Sequence, residues 1–168
     1  GHKLYAPKGV GALFVRSGAP LPRYLHGASH EAGRRAGTEN VLEIVGLGKA
    51  CDVAKARLSS DPPRFEALRE RLHEALAREL GEVRRNSPRE RSLPNTLSVS
   101  FRGVDAGALL SEVGETVAAS AGAACHAAGV DVSTVLRAIK VPTEWAMGAL
   151  RFSVGRGTTE AEVDAAAE

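Results

Sequence analysis

The sequence predicts an α/β layer fold, and three observations predict it. Apolar residues recur at helical spacing in two long segments of the first half. The apolar period then shortens to two in "NTLSVSFRG", and again in "GALRFSVGRG". From there to the end short helices and strands alternate, an order that lays helices against a sheet.

The elements follow in order. Val10–Arg16 reads as a short strand, broken by the Gly- and Pro-rich stretch "SGAPLPRYLHGASHEAGRRAGTEN", a long polar loop of the kind that carries function or reaches a partner. From Thr38 to Leu58 the residues Val41, Ile44, Val45, Leu47, Cys51 and Ala54 repeat with helical spacing. A second amphipathic helix is expected in "DPPRFEALRERLHEALARELG": a Pro pair opens it, Phe65, Leu68, Leu72, Leu76 and Leu80 form its stripe, and Gly81 ends it. In "NTLSVSF", Leu97, Val99 and Phe101 alternate with serines, as in a half-buried strand. A helix over Asp105–Val113, a strand at Thr116–Ala119, a small-residue loop "SAGAACHAAGVDV" and a helix over Ser133–Ile139 come next. Leu150, Phe152 and Val154 then mark the last strand, and Thr159 with Glu162 forms a capping box for a closing helix. The strands "NTLSVSF", "TVAAS" and "LRFSV" are expected in one mainly antiparallel sheet with helices on one face.

Composition narrows the function classes. Of 168 residues 43% are hydrophobic and 25% charged, enough for a core and typical of a soluble domain. A net charge of +2 gives no strong pull toward nucleic acid or an anionic membrane. No apolar run approaches the ~18 residues of a membrane helix. Two cysteines far apart, Cys51 and Cys125, exclude a disulfide scaffold and make a reducing, cytoplasmic setting the expectation.

Several residues could carry chemistry. Lys3, beside a Gly-rich turn, reads either as a solvated charge or as a Schiff-base amine. Cys125, in "SAGAACHAAG" and followed by His126, reads either as a structural thiol or as an exposed nucleophile. Cys51 lies among the apolar positions of a helix and is expected to be packed. Arg151 alternates with the apolar residues of its strand, so it faces away from their core. There it could grip a carboxylate with two parallel hydrogen bonds or sit in a surface ion pair. The loop with His26, His30, Arg34, Arg35 and Thr38 has no zinc-ligand spacing, so no metal site is expected, and it reads either as an anion site or as a plain exposed loop. "GVGALF" and "GLGKAC" complete neither a dinucleotide loop nor a P-loop. Arg84, Arg85, Arg89 and Arg91, interrupted by Glu82 and Glu90, read as a solvated turn.

The order of the motifs is more specific than any one of them. "GHKLYAPKGVGALFVR", "HGASHEAGRRAGTENV", "LPNTLSVSF", "SAGAACH" and "LRFSVGRGTTEAEVD" together resemble the class V aminotransferase-like cysteine desulfurases and their relative selenocysteine lyase, over essentially the whole chain. The resemblance implies a fold-type I transferase dependent on pyridoxal 5′-phosphate (PLP). Residues 1–46 would be the end of its large cofactor domain and 47–168 its small α+β C-terminal domain, linked by the helix 38–58. It implies that Lys3 binds the cofactor covalently and then moves protons, that His2 contacts the cofactor phosphate, and that Thr38 reaches the phosphate held by the other subunit of a homodimer. Asn95 would lie near the substrate and Arg151 would bind its carboxylate. Cys125 would take the sulfur as a persulfide and pass it to an acceptor or iron–sulfur scaffold protein.

The implied reaction converts L-cysteine to L-alanine; "GAACH" is similar to selenocysteine lyase and keeps L-selenocysteine as an alternative substrate. A non-enzymatic sulfur-carrier or interaction domain is the other alternative. The sequence departs from the family pattern at Ala6, Ala28 and Ser29, where glycines are usual at Ala6 and in the "HGASHEAGRR" loop. In the family the His-Lys pair lies well past the middle of the cofactor domain, and the residues that stack on the PLP ring and pair with its nitrogen lie upstream. The chain is therefore expected to be the C-terminal part of a longer protein, inactive alone.

Overall fold

The computed structural model describes residues 1–126 and 129–168, with side chains described outside 123–131, and divides into two units, Gly1–Leu58 and Ser59–Glu168.

The first unit opens with a 3₁₀ turn, His2–Leu4, closed by Tyr5 in the left-handed region at φ 63°. The strand expected at Val10–Arg16 does not form. Among the described residues of this unit no other strand is available to pair with it, and Leu13 and Phe14 stand 76% and 88% exposed. Residues 17–40 are irregular apart from a bridge between His30 and Arg35. Helix α1 (Val41–Ala56) begins at Asn40, whose side chain accepts from the Glu43 amide, so the expected start at Thr38 belongs to the loop.

α1 corrects a second expectation. Its apolar residues encircle it instead of forming a stripe: Val41, Leu42 and Val45 are exposed, and so is Cys51, which was expected to be packed. Its covered side is the small-residue side, with Ala50 buried and Gly46 against the Pro7 ring, where an added Cβ would stand 2.8 Å from the proline Cγ. With apolar residues on every side and Glu43, Lys49, Asp52 and Lys55 scattered among them, the helix has no single inward face for periodicity to reveal. The expected domain boundary at 46/47 lies inside α1, and the two units part at that helix's C-terminal end.

In the second unit α2 (Asp61–Leu80) carries its prolines in the first turn and ends at Gly81, φ 73°. β1 (Val83–Arg85), β2 (Thr96–Phe101), α3 (Ala106–Val113), β3 (Ser120–Ala121), β4 (Ala123–His126), β5 (Gly129–Val132), α4 (Thr134–Ala138), α5 (Thr143–Ala146), β6 (Ala149–Ser153) and α6 (Glu160–Ala165) follow. β1, β2, β6 and β3 form one antiparallel sheet in that spatial order, and β4 pairs with β5.

Alternation sorts the sheet residues. Leu97, Val99, Phe101, Leu150 and Phe152 meet Leu68, Leu72 and Leu76 of α2, Ala106 of α3 and Val163 of α6 in the main core. Ala149, one residue from Leu150, points the other way and packs with Leu136, Val141 and Ala146. The helices are therefore not confined to one face: α4 and α5 cover part of the second.

Three further expectations shift. β3 starts at Ser120 rather than Thr116, because the amides of Thr116 and Val117 still bond to the Val113 carbonyl (2.9 and 2.8 Å) and extend the α3 turn. The small-residue stretch expected as a loop holds the β4–β5 hairpin, with Cys125 opposite Val130. Its pairing is between backbones, which alanine and glycine side chains do not announce. The arginine run is not a solvated turn: Arg85 lies in β1 and forks onto Glu70 of α2 at 2.7 and 2.8 Å, with 15% and 9% of the two side chains exposed.

Candidate active site

The candidate residues fall in both units, and each group is built by its own local structure. In the first unit His2 and Lys3 lie exposed on the 3₁₀ turn that Tyr5 closes. Lys3 has no ion-pair partner among the described residues. Thr38 is exposed at the end of the long loop.

That loop is held by residues which local sequence patterns do not reveal. The Arg23 guanidinium donates to the carbonyls of Leu25, Gly27 and Ala28 at 3.0, 2.6 and 2.7 Å. Arg35 donates to the carbonyls of Ala36 and Gly37, the latter at 2.6 Å, which fixes the chain immediately before Thr38 at Gly37, φ 95°. His30 Nδ1 lies 2.8 Å from Glu39. Glu39's own backbone amide, and then His30, hold its carboxyl below the usual carboxylate range. His30 thus has a structural partner, and among the described residues no three His, Cys, Asp or Glu converge to hold a metal.

In the second unit the sheet register sets the geometry. Arg151 of β6 is paired with Ser98 of β2 on one side and Ser120 of β3 on the other, and its Nη2 lies 3.4 Å from the Ser120 hydroxyl oxygen. All three share the sheet face opposite the main core. The Arg151 guanidinium is exposed, with no carboxylate partner among the described residues. Asn95 precedes β2: its carbonyl accepts from the Val154 amide at 3.0 Å and its Oδ1 accepts from the Thr96 hydroxyl at 3.2 Å. Cys125 lies on β4, three residues beyond Gly122, and its side chain falls outside the described ones.

The structure therefore gathers Arg151, Ser98 and Ser120 in one row. It sets Asn95 at the start of the neighbouring strand, and places Lys3, His2 and Thr38 in the other unit. Ser98 and Ser120 escape local motif reading, because they become neighbours of Arg151 only through strand pairing. The alternation in "NTLSVSF" was the available signal.

The aminotransferase class V family model matches residues 1–166. The chain is 44% identical over 98% of its length to a cysteine desulfurase of Gluconacetobacter diazotrophicus, 41% of which it covers. It is 40% identical over 97% of its length to cysteine desulfurase IscS of Clostridium botulinum, of which it covers 42%. Among solved structures, a NifS-like protein superposes with a TM-score of 0.83 at 38% identity, covering 99% of this chain and 42% of that one. DndA from Streptomyces lividans superposes with a TM-score of 0.69 at 34% identity, covering 91% of this chain and 44% of that one. The chain thus spans about two fifths of the length of these relatives. With an α/β layering that matches NifS-like structures and a family match running from Gly1 to Ala166, this chain belongs to the aminotransferase class V family.

Proposed function

We propose that the chain is the C-terminal part of a PLP-dependent cysteine desulfurase that acts as a homodimer in the cytoplasm. The observation that carries this reading is Arg151, an exposed guanidinium on the sheet face opposite the main core, with no carboxylate partner among the described residues. It occurs in a chain 44% identical to a cysteine desulfurase. Residues 1–46 would close the large cofactor domain and 47–168 form the small one, with the helix between them as the link.

The residues fit the cofactor chemically: an exposed lysine side chain at Lys3, an imidazole at His2 and an exposed hydroxyl at Thr38 are what an aldehyde bearing a phosphate needs. Bound there, PLP supplies an electron sink. Lys3 Nζ would hold it and carry protons to and from the substrate, while His2 and, across the dimer, Thr38 would hold its phosphate. Arg151 would bind the carboxylate of L-cysteine, with Asn95 beside the substrate. The Cys125 thiolate would attack the substrate sulfur. A sulfur–sulfur bond forms as the Cβ–S bond breaks; the electron pair stays with Cβ, which takes a proton to give L-alanine. The oxidation level balances without an external oxidant, and the persulfide on Cys125 can pass to an acceptor or iron–sulfur scaffold protein.

The test is incubation of the chain, extended upstream to the length of the relatives, with PLP, followed by borohydride reduction and mapping of the labelled peptide. Label confined to Lys3 supports the assignment, and label scattered over surface lysines overturns it. Alanine release from L-cysteine against L-selenocysteine, in a chain extended upstream to the length of the relatives, separates desulfurase from selenocysteine lyase.

A further inference from the structure

We propose that Ser98 is a second donor to the carboxylate gripped by Arg151, oriented for this by Asn86; the inference rests on the assignment of the substrate carboxylate to Arg151. Ser98 and Arg151 are direct partners in the β2–β6 register. Directly opposed side chains on one sheet face have Cβ atoms about 4.5–5.5 Å apart, close enough to meet one small ligand together.

Asn86, just beyond β1, decides how the Ser98 hydroxyl is used. Its backbone amide donates to the Ser98 carbonyl at 2.9 Å. Its side-chain amide donates to the hydroxyl oxygens of Ser98 (3.2 Å) and Ser100 (2.9 Å), and its Oδ1 accepts from the Ser100 hydroxyl at 3.2 Å. Ser100 is 0% exposed and meets both the nitrogen and the oxygen of this amide, which anchors Asn86 in the interior. From that anchored amide the Ser98 oxygen receives a hydrogen bond. Its own proton has no acceptor among the described residues and remains to be given.

Ser120 supports the row differently. Its oxygen accepts from Arg151, which orients the guanidinium from the other side. Along Asn86, Ser98, Arg151 and Ser120 there is no carboxylate, and the next row across the sheet is Arg84, Ser100 and Ala149. Among the described residues of these two rows the face thus offers protons and positive charge and holds no carboxylate. A carboxylate has more lone pairs than one guanidinium fork occupies, so a hydroxyl beside the fork finds an acceptor. The ligand class is a small α-amino acid or similar monocarboxylate.

The experiment is a titration followed by the backbone amide signals of residues 98, 120 and 151, using L-alanine as one probe and ethylamine, the same molecule without its carboxylate, as the other. The wild-type chain should respond at these positions to L-alanine and not to ethylamine. Ser98→Ala should weaken L-alanine binding about tenfold, the loss expected for one hydrogen bond to a charged group. Ser98→Thr, which keeps the hydroxyl, should stay within about twofold, and Asn86→Asp, which turns the donor into an acceptor, should weaken binding as Ser98→Ala does. Arg151→Met should abolish the response.

If Ser98→Ala binds like the wild type while Arg151→Met does not, the Ser98 donor is overturned and the Arg151 assignment stands. The Ser98 donor also falls if Ser98→Thr is as weak as Ser98→Ala, because packing would then explain the loss. Should Arg151→Met bind normally, or both probes act alike, the Arg151 assignment fails and takes the Ser98 donor with it. If Ser98→Ala does not fold, Asn86→Asp decides, and unchanged binding there overturns the proposal.

Discussion

Arg69 of α2 donates to the carbonyl of Leu93 at 2.7 Å from a side chain that is 1% exposed, and so ties the helix to the turn that leads into Asn95 and β2. Its Nε donates to Glu70 at 2.7 Å and its Nη2 to Glu66 at 3.1 Å. A fully buried guanidinium is tolerated because each of these acceptors meets it.

Arg69→Met should cost about 3–5 kcal/mol, since it strands a carbonyl and removes one cation from Glu70. Glu66→Gln touches the exposed end of the same network and should cost less than about 1 kcal/mol. Urea unfolding of both variants checks the contrast. Equal losses would mean that the buried tie is no stronger than a surface ion pair.

Glu70 sets an acid limit on the second unit. Hydrogen bonds from Arg85, and then from Arg69, outweigh the cost of burial and pull its carboxyl down to about 2. A lowered folded value means the unfolded chain takes up the proton first. The stabilisation is therefore complete above the ordinary carboxylate range near 4.5 and is lost as pH falls toward 2. It amounts to something on the order of 3 kcal/mol. Glu70→Gln should be clearly less stable than the wild type at pH 5, with the two unfolding midpoints converging toward pH 2. No gap at pH 5 would sink the argument.

How much of this was legible in the sequence differed from element to element. α2, β2 and β6 were, because their apolar residues mark one face with a single period and the structure buries that face. α1 was not, since its apolar and charged residues are mixed around the whole helix and mark no direction. Neither was the Arg85–Glu70 fork: the two partners lie on different elements, and a run of arginines looks the same whether it is solvated or paired. At the candidate site Arg151 was legible by its alternation, whereas Ser98, Asn86 and Ser120 depend on strand register. The β4–β5 hairpin left no signal, as its strands are mostly small residues held by backbone pairing.

Thr159 should be worth more than its exposure suggests. Its hydroxyl oxygen accepts from the Glu162 amide at 3.2 Å, and the Glu162 carboxylate accepts from the Thr159 amide at 2.7 Å, a complete capping box. The short helix it starts lends Val163 to the main core. Thr159→Ala should cost about 1 kcal/mol and Thr159→Ser only a few tenths. Thermal melts of the pair test this; equal losses would point to the methyl group instead of the hydroxyl.

Gly122 is the foot of the segment that carries Cys125, and it has no room for a side chain. Its amide donates to the Ala149 carbonyl at 2.6 Å, and its carbonyl accepts from the Ser133 amide at 3.2 Å. One residue at the start of β4 is thus bonded both to β6 and to the residue that follows β5. A Cβ added there would stand 2.7 Å from the Ala149 Cβ and 3.1 Å from Leu136 Cδ1, inside the second, smaller core. Gly122→Ala should therefore cost about 1–3 kcal/mol, the usual range for overpacking. Removing the opposing methyl group supplies the control. Ala149→Gly costs stability by itself, through strand flexibility and lost packing, but the double variant Gly122→Ala with Ala149→Gly should lose less than the two single losses added together. Unfolding free energies of the four proteins close the cycle. Strict additivity would place the strain elsewhere, whereas a favourable coupling would locate it at the contact between these two Cβ positions, at the residue that precedes the strand of Cys125.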